Sequence, residues 1–287
     1  MEQATAILDH DAQQVLDGIC IPACPAILTK LMREMRDDEP DFAKISKLIS
    51  SDASLAAAML QTVNSPFYGL RAQATSVQQA TALLGLRSVA QLVTGLLLRS
   101  TFSNGNSDLM DEYWESSSGI ANISAVLARQ FKGFDRDEAY TFALFRDCGM
   151  LAMMDGYKDY KPVFPGVEPK DGVDVTTLEN ELHKMDHARV GYNLAKLWLL
   201  PEGICQSVLW HHDFSVLRAG QAGVTLKSAK YIALALMAEW IFVKHTLGVD
   251  SPEWRKGGEF ARELLGVTDE DLDSKLAEIG QETGLFS

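Results

Sequence analysis

Apolar positions recur at helical spacing along most of this chain. Ile27, Leu28, Leu31, Met32 and Met35 form one stripe, opened by Pro22 and Pro25 and ended by the charged run Arg36-Asp37-Asp38-Glu39. Phe42, Ile45, Leu48 and Ile49 form a second stripe. Leu55, Met59 and Val63 form a third, which stops at Asn64-Ser65-Pro66 because proline disfavours helix at the residue before it. Ser76 with Gln79 has the spacing of a capping box. Gly85 then separates that helix from one carrying Val89, Leu92, Val93, Leu96 and Leu97 on a single face.

The loop Ser103-Asn104-Gly105-Asn106-Ser107 marks a boundary between two helical subdomains. A long helix with Ile120, Ile123, Leu127 and Phe131 follows, then another from about Asp135 to Met154. Tyr157 to Val175, with Pro162, Pro165 and Pro169, reads as loop. Thr176 with Glu179 can cap a helix that bends near His187 and continues to Trp198. Pro201 restarts a helix that reaches His211-His212, and residues 224 to 247 form a long apolar one. Ser251-Pro252 is an N-cap and first-turn pair, and Thr268 with Asp271 opens a last acidic helix. No alternating strand pattern of useful length occurs, so the fold expected is all-α, with two packed helical subdomains. The expected divisions are a lead-in over 1–20, subdomains over 21–105 and 106–248, and a C-terminal helical extension over 249–287.

Composition narrows the class. A chain of 287 residues with 47% hydrophobic and 23% charged residues is a folded protein, long enough to bury roughly 75% of its unfolded surface. The net charge is -13. That argues against nucleic acid, whose affinity comes from basic side chains neutralising phosphates, and against anionic membrane surfaces. The N-terminus has no basic start followed by an apolar run. The most apolar helix, Tyr231 to Val243, is interrupted by Glu239 and is too short to span a bilayer. Cys20, Cys24, Cys148 and Cys205 fall in no CxxC pair or zinc spacing, which points to free thiols and a cytoplasmic protein.

The charge is uneven. Residues 1–105 carry 10 acids and 8 bases, whereas residues 106–287 carry 29 acids and 18 bases. No carboxylate occurs between Asp52 and Asp108, and that stretch holds only Arg71, Arg87 and Arg99 as charges. Such a segment is expected in the core or under a covering element.

The residues with chemistry to offer are histidines and a few carboxylates: His187, the pair His211-His212, Asp147 beside Arg146, and Glu239. Histidine and carboxylate donors from separate helices are how an all-α protein builds a metal site in its core. Two adjacent residues on a helix point in different directions, so the histidine pair is not expected to share one ion. His183 and His187 are four apart, but no HExxH motif is present. Phosphate-cradling glycine loops and the G-x-S-x-G elbow are also absent.

Ile21-Pro22-Ala23-Cys24-Pro25, VNSPFYGL over 63–70, LLGLRSV over 83–89, HARVG over 187–191 and LWHH over 209–212 together resemble the HDOD family, the HD-related output domain of bacterial signalling proteins. The resemblance covers about residues 20–245 and implies an HD-like second subdomain. Its relatives, the HD phosphohydrolases, hold divalent metals with a first His, a His-Asp doublet and a later Asp, and the metal generates the attacking hydroxide. Carried onto this chain, those positions are Ser116, Arg146-Asp147 and Glu239, while His187, His211 and His212 match further histidines of multi-metal relatives. Arg146 is the decisive change, since a permanently charged guanidinium would pair with Asp147 and repel a metal.

The resemblance therefore implies a degenerate site with no catalytic residue, metal or other cofactor. It points to a regulatory module that acts on signalling proteins in trans. Asn64, Ser65, Pro66, Phe67, Tyr68, Gly69 and Leu70 are the family motif and a candidate interaction surface. A residual metal-dependent phosphohydrolase and a sensor of an anionic nucleotide or metabolite are the competing readings.

Overall fold

The computed structural model describes residues 19, 21–37, 39–70, 72–102, 107–169, 172–218 and 224–282. The lead-in before Ile19, Cys20, Asp38, Arg71 and residues 103–106 of the predicted boundary loop lie outside the described residues. All regular structure is helical; no strand occurs among the described residues. The chain forms two compact units, one over Ala23–Ser103 and one containing the remainder.

The first unit holds α1 (Ala26–Met35), α2 (Phe42–Ser50), α3 (Ala53–Val63), a 3-10 turn (Pro66–Tyr68), α4 (Val77–Leu84) and α5 (Leu86–Thr101). Three of its helices, α2, α3 and α4, start on side chains that accept otherwise orphaned amides. Asp41 accepts from Ala43 and Lys44, and Asp52 accepts from Leu55. Ser76 accepts from Gln79, whose side chain reaches back to the amide of Thr75. Leu28, Leu31, Ile45, Ile49, Met59, Val89, Val93 and Leu98 are buried together in its core. On α5 the buried face includes Leu98, while Leu96 is only half-buried, a shift of the predicted stripe. Gly85 joins α4 to α5 at φ 80° and ψ 162°, a conformation open essentially to glycine alone.

Asn64 ends α3 and clasps the following loop. Its amide nitrogen donates to the carbonyl of Ala74 at 2.9 Å, and its oxygen accepts from the amide of Ala74 at 2.7 Å.

The second unit contains α6 (Ser107–Gln130), α7 (Arg136–Phe145), α8 (Cys148–Gly156), α9 (Val175–His183), α10 (His187–Leu197), α11 (Glu202–Trp210), α12 (Phe214–Arg218), α13 (Leu226–Leu247), α14 (Pro252–Leu265) and α15 (Asp269–Glu282). The central helix is α13, apolar nearly all round and buried from Tyr231 to Ile241. It packs against α6, α7, α11 and α14. No described helix is long and apolar enough to cross a membrane.

Two long predicted helices are broken, and both breaks serve the site. The helix expected from Asp135 to Met154 divides at Arg146-Asp147, where Asp147 leaves helical geometry at φ -103° and ψ 15°. The helix expected from Thr176 to Trp198 divides after His183, where Lys184 adopts a left-handed φ of 62°. Thr176 with Glu179 does not form the expected capping box, because Glu179 is buried and turned toward His187.

Helices α8 and α10 approach through paired glycines. A Cβ on Gly149 would lie 1.9 Å from the carbonyl oxygen of His187 and 2.6 Å from the amide of Gly191. Only a bare backbone allows this approach, which sets Asp147, two residues before Gly149, beside His187. At the other side, Trp240 of α13 stacks on Trp254 of α14 with centroids 5.2 Å apart. Ser251 caps α14 by accepting from the Trp254 amide. These contacts fix the first turn of α14, which carries Glu253.

Candidate metal centre

Four side chains from three helix junctions meet in the second unit. Asp147 comes from the α7–α8 break, His187 from the first position of α10, and His211 and His212 from the turn after α11. Each offers a donor atom within 4.8 Å of those of the other three. His211 Nε2 lies 3.1 Å from Asp147 Oδ1, His187 Nε2 lies 3.5 Å from the same oxygen, and His212 Nε2 lies 3.0 Å from His187 Nε2. The expectation that the adjacent pair would diverge is corrected here. Helix α11 stops at Trp210, so both histidines sit in a turn with ring centroids 4.0 Å apart.

The outward ring nitrogens face acceptors. His187 Nδ1 is 2.7 Å from Glu179 Oε2, and Glu179 Oε1 accepts from the Tyr160 hydroxyl at 2.6 Å. Glu179 also accepts the amide of His187. His211 Nδ1 is 2.7 Å from the carbonyl of Val208. His212 Nδ1 is 3.1 Å from Glu253 Oε2 without hydrogen-bonding alignment, so neither atom is satisfied.

Arg146 lies on the other side of Asp147. Its Nε and Nη2 donate to Asp147 Oδ2 at 3.0 and 2.7 Å, and its Nη1 reaches Glu239 Oε2 at 2.9 Å. Arg146, Asp147 and Glu239 are all buried. Burial by itself would raise Asp147, but Arg146 and the histidines outweigh it and hold the carboxyl well below the usual range. One guanidinium cannot compensate two carboxylates equally. Burial pushes Glu239 up to about 7 despite Arg146, with Glu253 adding to the push. Burial opposes a charge on His187, yet Glu179 and Asp147 raise it to about 10. His211, buried and next to His212, falls to about 3.

The sequence-predicted positions thus fall into two groups. Arg146, Asp147, His187, His211, His212 and Glu239 are brought together. Ser116 is buried but bonds the carbonyls of Glu112 and Tyr113 on its own helix. Asn64 to Leu70 belong to the other unit. Tyr160 and Glu253 are additions that the sequence did not point to, and Glu179, expected only as a helix cap, joins them. A cleft of about 660 Å³ opens beside His212, with Arg189, Trp210, Phe214, Arg218 and Lys256 on its walls. A cavity of about 40 Å³ borders Arg146, Asp147, His212, Glu239 and Glu253.

An all-helical unit with a histidine–carboxylate cluster at its helix junctions is consistent with an HD-like fold. A sequence model of the HDOD domain matches residues 21–214, and the chain belongs to that family. The fold is similar to an HDOD domain protein of unknown function from Geobacter sulfurreducens, with TM-score 0.71, 21% identity, and 96% of this chain and 94% of that one covered. It is also similar to a proposed metal-dependent phosphohydrolase from Shewanella amazonensis, with TM-score 0.66, 17% identity and both chains fully covered. The likeness of fold therefore extends past residue 214 into α13–α15. An uncharacterized protein of Treponema pallidum is 23% identical over 217 residues, which make up 74% of this chain; the chain spans 40% of that relative's length.

Proposed function

We propose that this chain is a regulatory module of bacterial signal transduction that acts by binding a signalling protein and does not turn over a phosphoester. The observation that carries this reading is the bridge from Arg146 to Asp147 Oδ2 and Glu239. At the position where hydrolase relatives have the histidine of the doublet, a fixed cation holds Asp147 Oδ2 and Glu239, the oxygens that would otherwise take a second metal. Two-metal hydrolysis needs ions on both the attacking and the leaving oxygen, and the guanidinium fills one of those places. The same bridge weighs against the sensor reading, because the guanidinium already gives three of its five N–H donors to two carboxylates that balance its charge.

One observation favours a hydrolase using a single ion: the cleft of about 660 Å³ runs up to His212 and could admit a substrate. A panel of phosphomonoesters and phosphodiesters, incubated with protein loaded with Mn(II), Fe(II) or Zn(II), separates the two readings. No turnover above that of His187→Ala supports the regulatory module. Turnover lost in His187→Ala overturns it in favour of the hydrolase.

A further inference from the structure

We infer that Asp147, His187, His211 and His212 bind one divalent transition-metal ion, and that Glu179 and Glu253 are positioning residues for two of the three imidazoles. The inference is independent of whether the protein turns over a substrate.

Carboxylates and carbonyls only accept hydrogen bonds, so each outward Nδ1 is best satisfied carrying a hydrogen. Glu179 does this for His187 and Val208 for His211, while the Glu253 carboxylate faces His212. An imidazole held as the Nδ1–H tautomer presents a lone pair at Nε2. Glu179 and Val208 thereby point Nε2 of His187 and His211 at Asp147 Oδ1, the oxygen Arg146 leaves unused, and His212 joins them once a small rotation aligns its Nδ1–H with Glu253. The proton that His187 carries without an ion would leave when one binds. Nε2 of His187 and Nε2 of His212, 3.0 Å apart, need a cation or proton between them.

The spacing fits an ion. Metal–nitrogen and metal–oxygen bonds of about 2.0–2.1 Å place neighbouring donors about 3.0–3.4 Å apart in octahedral or tetrahedral shells. Three of the six donor separations are 3.0, 3.1 and 3.5 Å, and all six lie within 4.8 Å, so a modest contraction closes the shell around one ion. Three imidazoles and one carboxylate suit zinc, iron or a similar transition metal better than magnesium or calcium, which prefer all-oxygen shells. A histidine that ligates through one nitrogen while donating the other N–H to a carboxylate is the usual outer-shell arrangement of metal sites. Arg146 limits the occupancy to one ion, since its guanidinium already holds Asp147 Oδ2 and Glu239.

Glu253 has the further interest of lying outside the residues that the family sequence model matches, 21–214. It comes from the first turn of α14, set there by the Ser251 cap and the Trp240–Trp254 stack. The C-terminal helices would then complete the site rather than merely cover it. A bound ion would supply Lewis acidity beside the cleft at His212.

The test is titration of the full chain with Co(II), read by its visible ligand-field absorption, with bound Zn(II) counted by metal analysis. The expected result is saturation at one ion per chain and loss of the signal in His187→Ala and Asp147→Asn. Glu179→Gln and Glu253→Gln should keep the stoichiometry while weakening affinity about 10- to 100-fold, which a merely structural role would not do in a variant with unchanged circular dichroism. His245→Ala, at an exposed position of α13 outside the cluster, should bind as the wild type does. Absence of bound ion in the folded wild type, saturation at two ions, or unchanged binding in both carboxylate-to-amide variants would overturn the inference. The wild-type and Gln variants keep the test decisive if His187→Ala does not fold.

Discussion

Arg146 grips Asp147 by one oxygen only. Both of its bonds, 3.0 Å from Nε and 2.7 Å from Nη2, end on Oδ2, while Oδ1 faces His211 at 3.1 Å. One carboxylate therefore separates two environments, a permanent cation on one side and a cluster of imidazoles on the other. The adjacency of Arg146 and Asp147 in sequence is what permits this, since the break between α7 and α8 turns both inward.

Arg146→Met is expected to destabilise the protein by about 3–5 kcal/mol, because it leaves the buried Asp147 and Glu239 carboxylates without their shared cation. Urea unfolding at neutral pH measures this. A loss below about 1 kcal/mol would show that the bridge is not a structural element.

Gly149→Ala is expected to separate α8 from α10. The added Cβ would sit 1.9 Å from the His187 carbonyl oxygen, which is backbone and cannot rotate away. Overpacking of this kind costs about 1–3 kcal/mol, and here it also moves Asp147 relative to His187. A lower melting temperature together with weakened Co(II) binding is the expected pair of results; unchanged binding would mean that the glycine contact does not align the cluster.

Glu239→Gln is expected to change how stability depends on pH. The folded-state value of Glu239, about 7, lies above its ordinary 4.5. The folded state therefore binds the extra proton between those values, and this stabilising contribution is lost as pH rises through 7. Glutamine resembles the protonated form at every pH. The variant should match the wild type near pH 4.5 and gain relative stability up to pH 7, with no further gain above it. A relative gain that instead shrank with rising pH would contradict the burial argument.

Asn64→Ala is expected to cost about 1–3 kcal/mol by stranding the amide and carbonyl of Ala74 that the side chain satisfies. Chemical denaturation reads the loss directly. The side chain of this motif residue is committed to its own loop, so a neutral substitution would favour a role in recognition instead.

The all-α fold was legible because stripes such as Leu28-Leu31 and Ile45-Ile49 have helical spacing and the caps at Ser76, Ser251 and Thr268 carry local chemistry. The site was legible only in part. Asp147, His187, His211, His212 and Glu239 were visible as residue types with metal chemistry and through the family resemblance. Glu179 and Glu253 were hidden because each looks like an ordinary acid near a helix start, where a carboxylate is favoured anyway. What gives them a role is tertiary: α9 ends in a left-handed turn at Lys184, and α14 is pinned to α13 by stacked indoles. The pairing of His211 with His212 depended on where α11 stops, and helix ends are poorly marked by periodicity alone.

Anomalous diffraction from crystals grown with Zn(II), collected at the zinc edge, tests the central claim most directly. A single peak within bonding distance of Asp147 Oδ1 and the three imidazoles, with Arg146 still bridging Asp147 and Glu239, is the predicted result. A peak between Asp147 Oδ2 and Glu239, with Arg146 displaced, would contradict it.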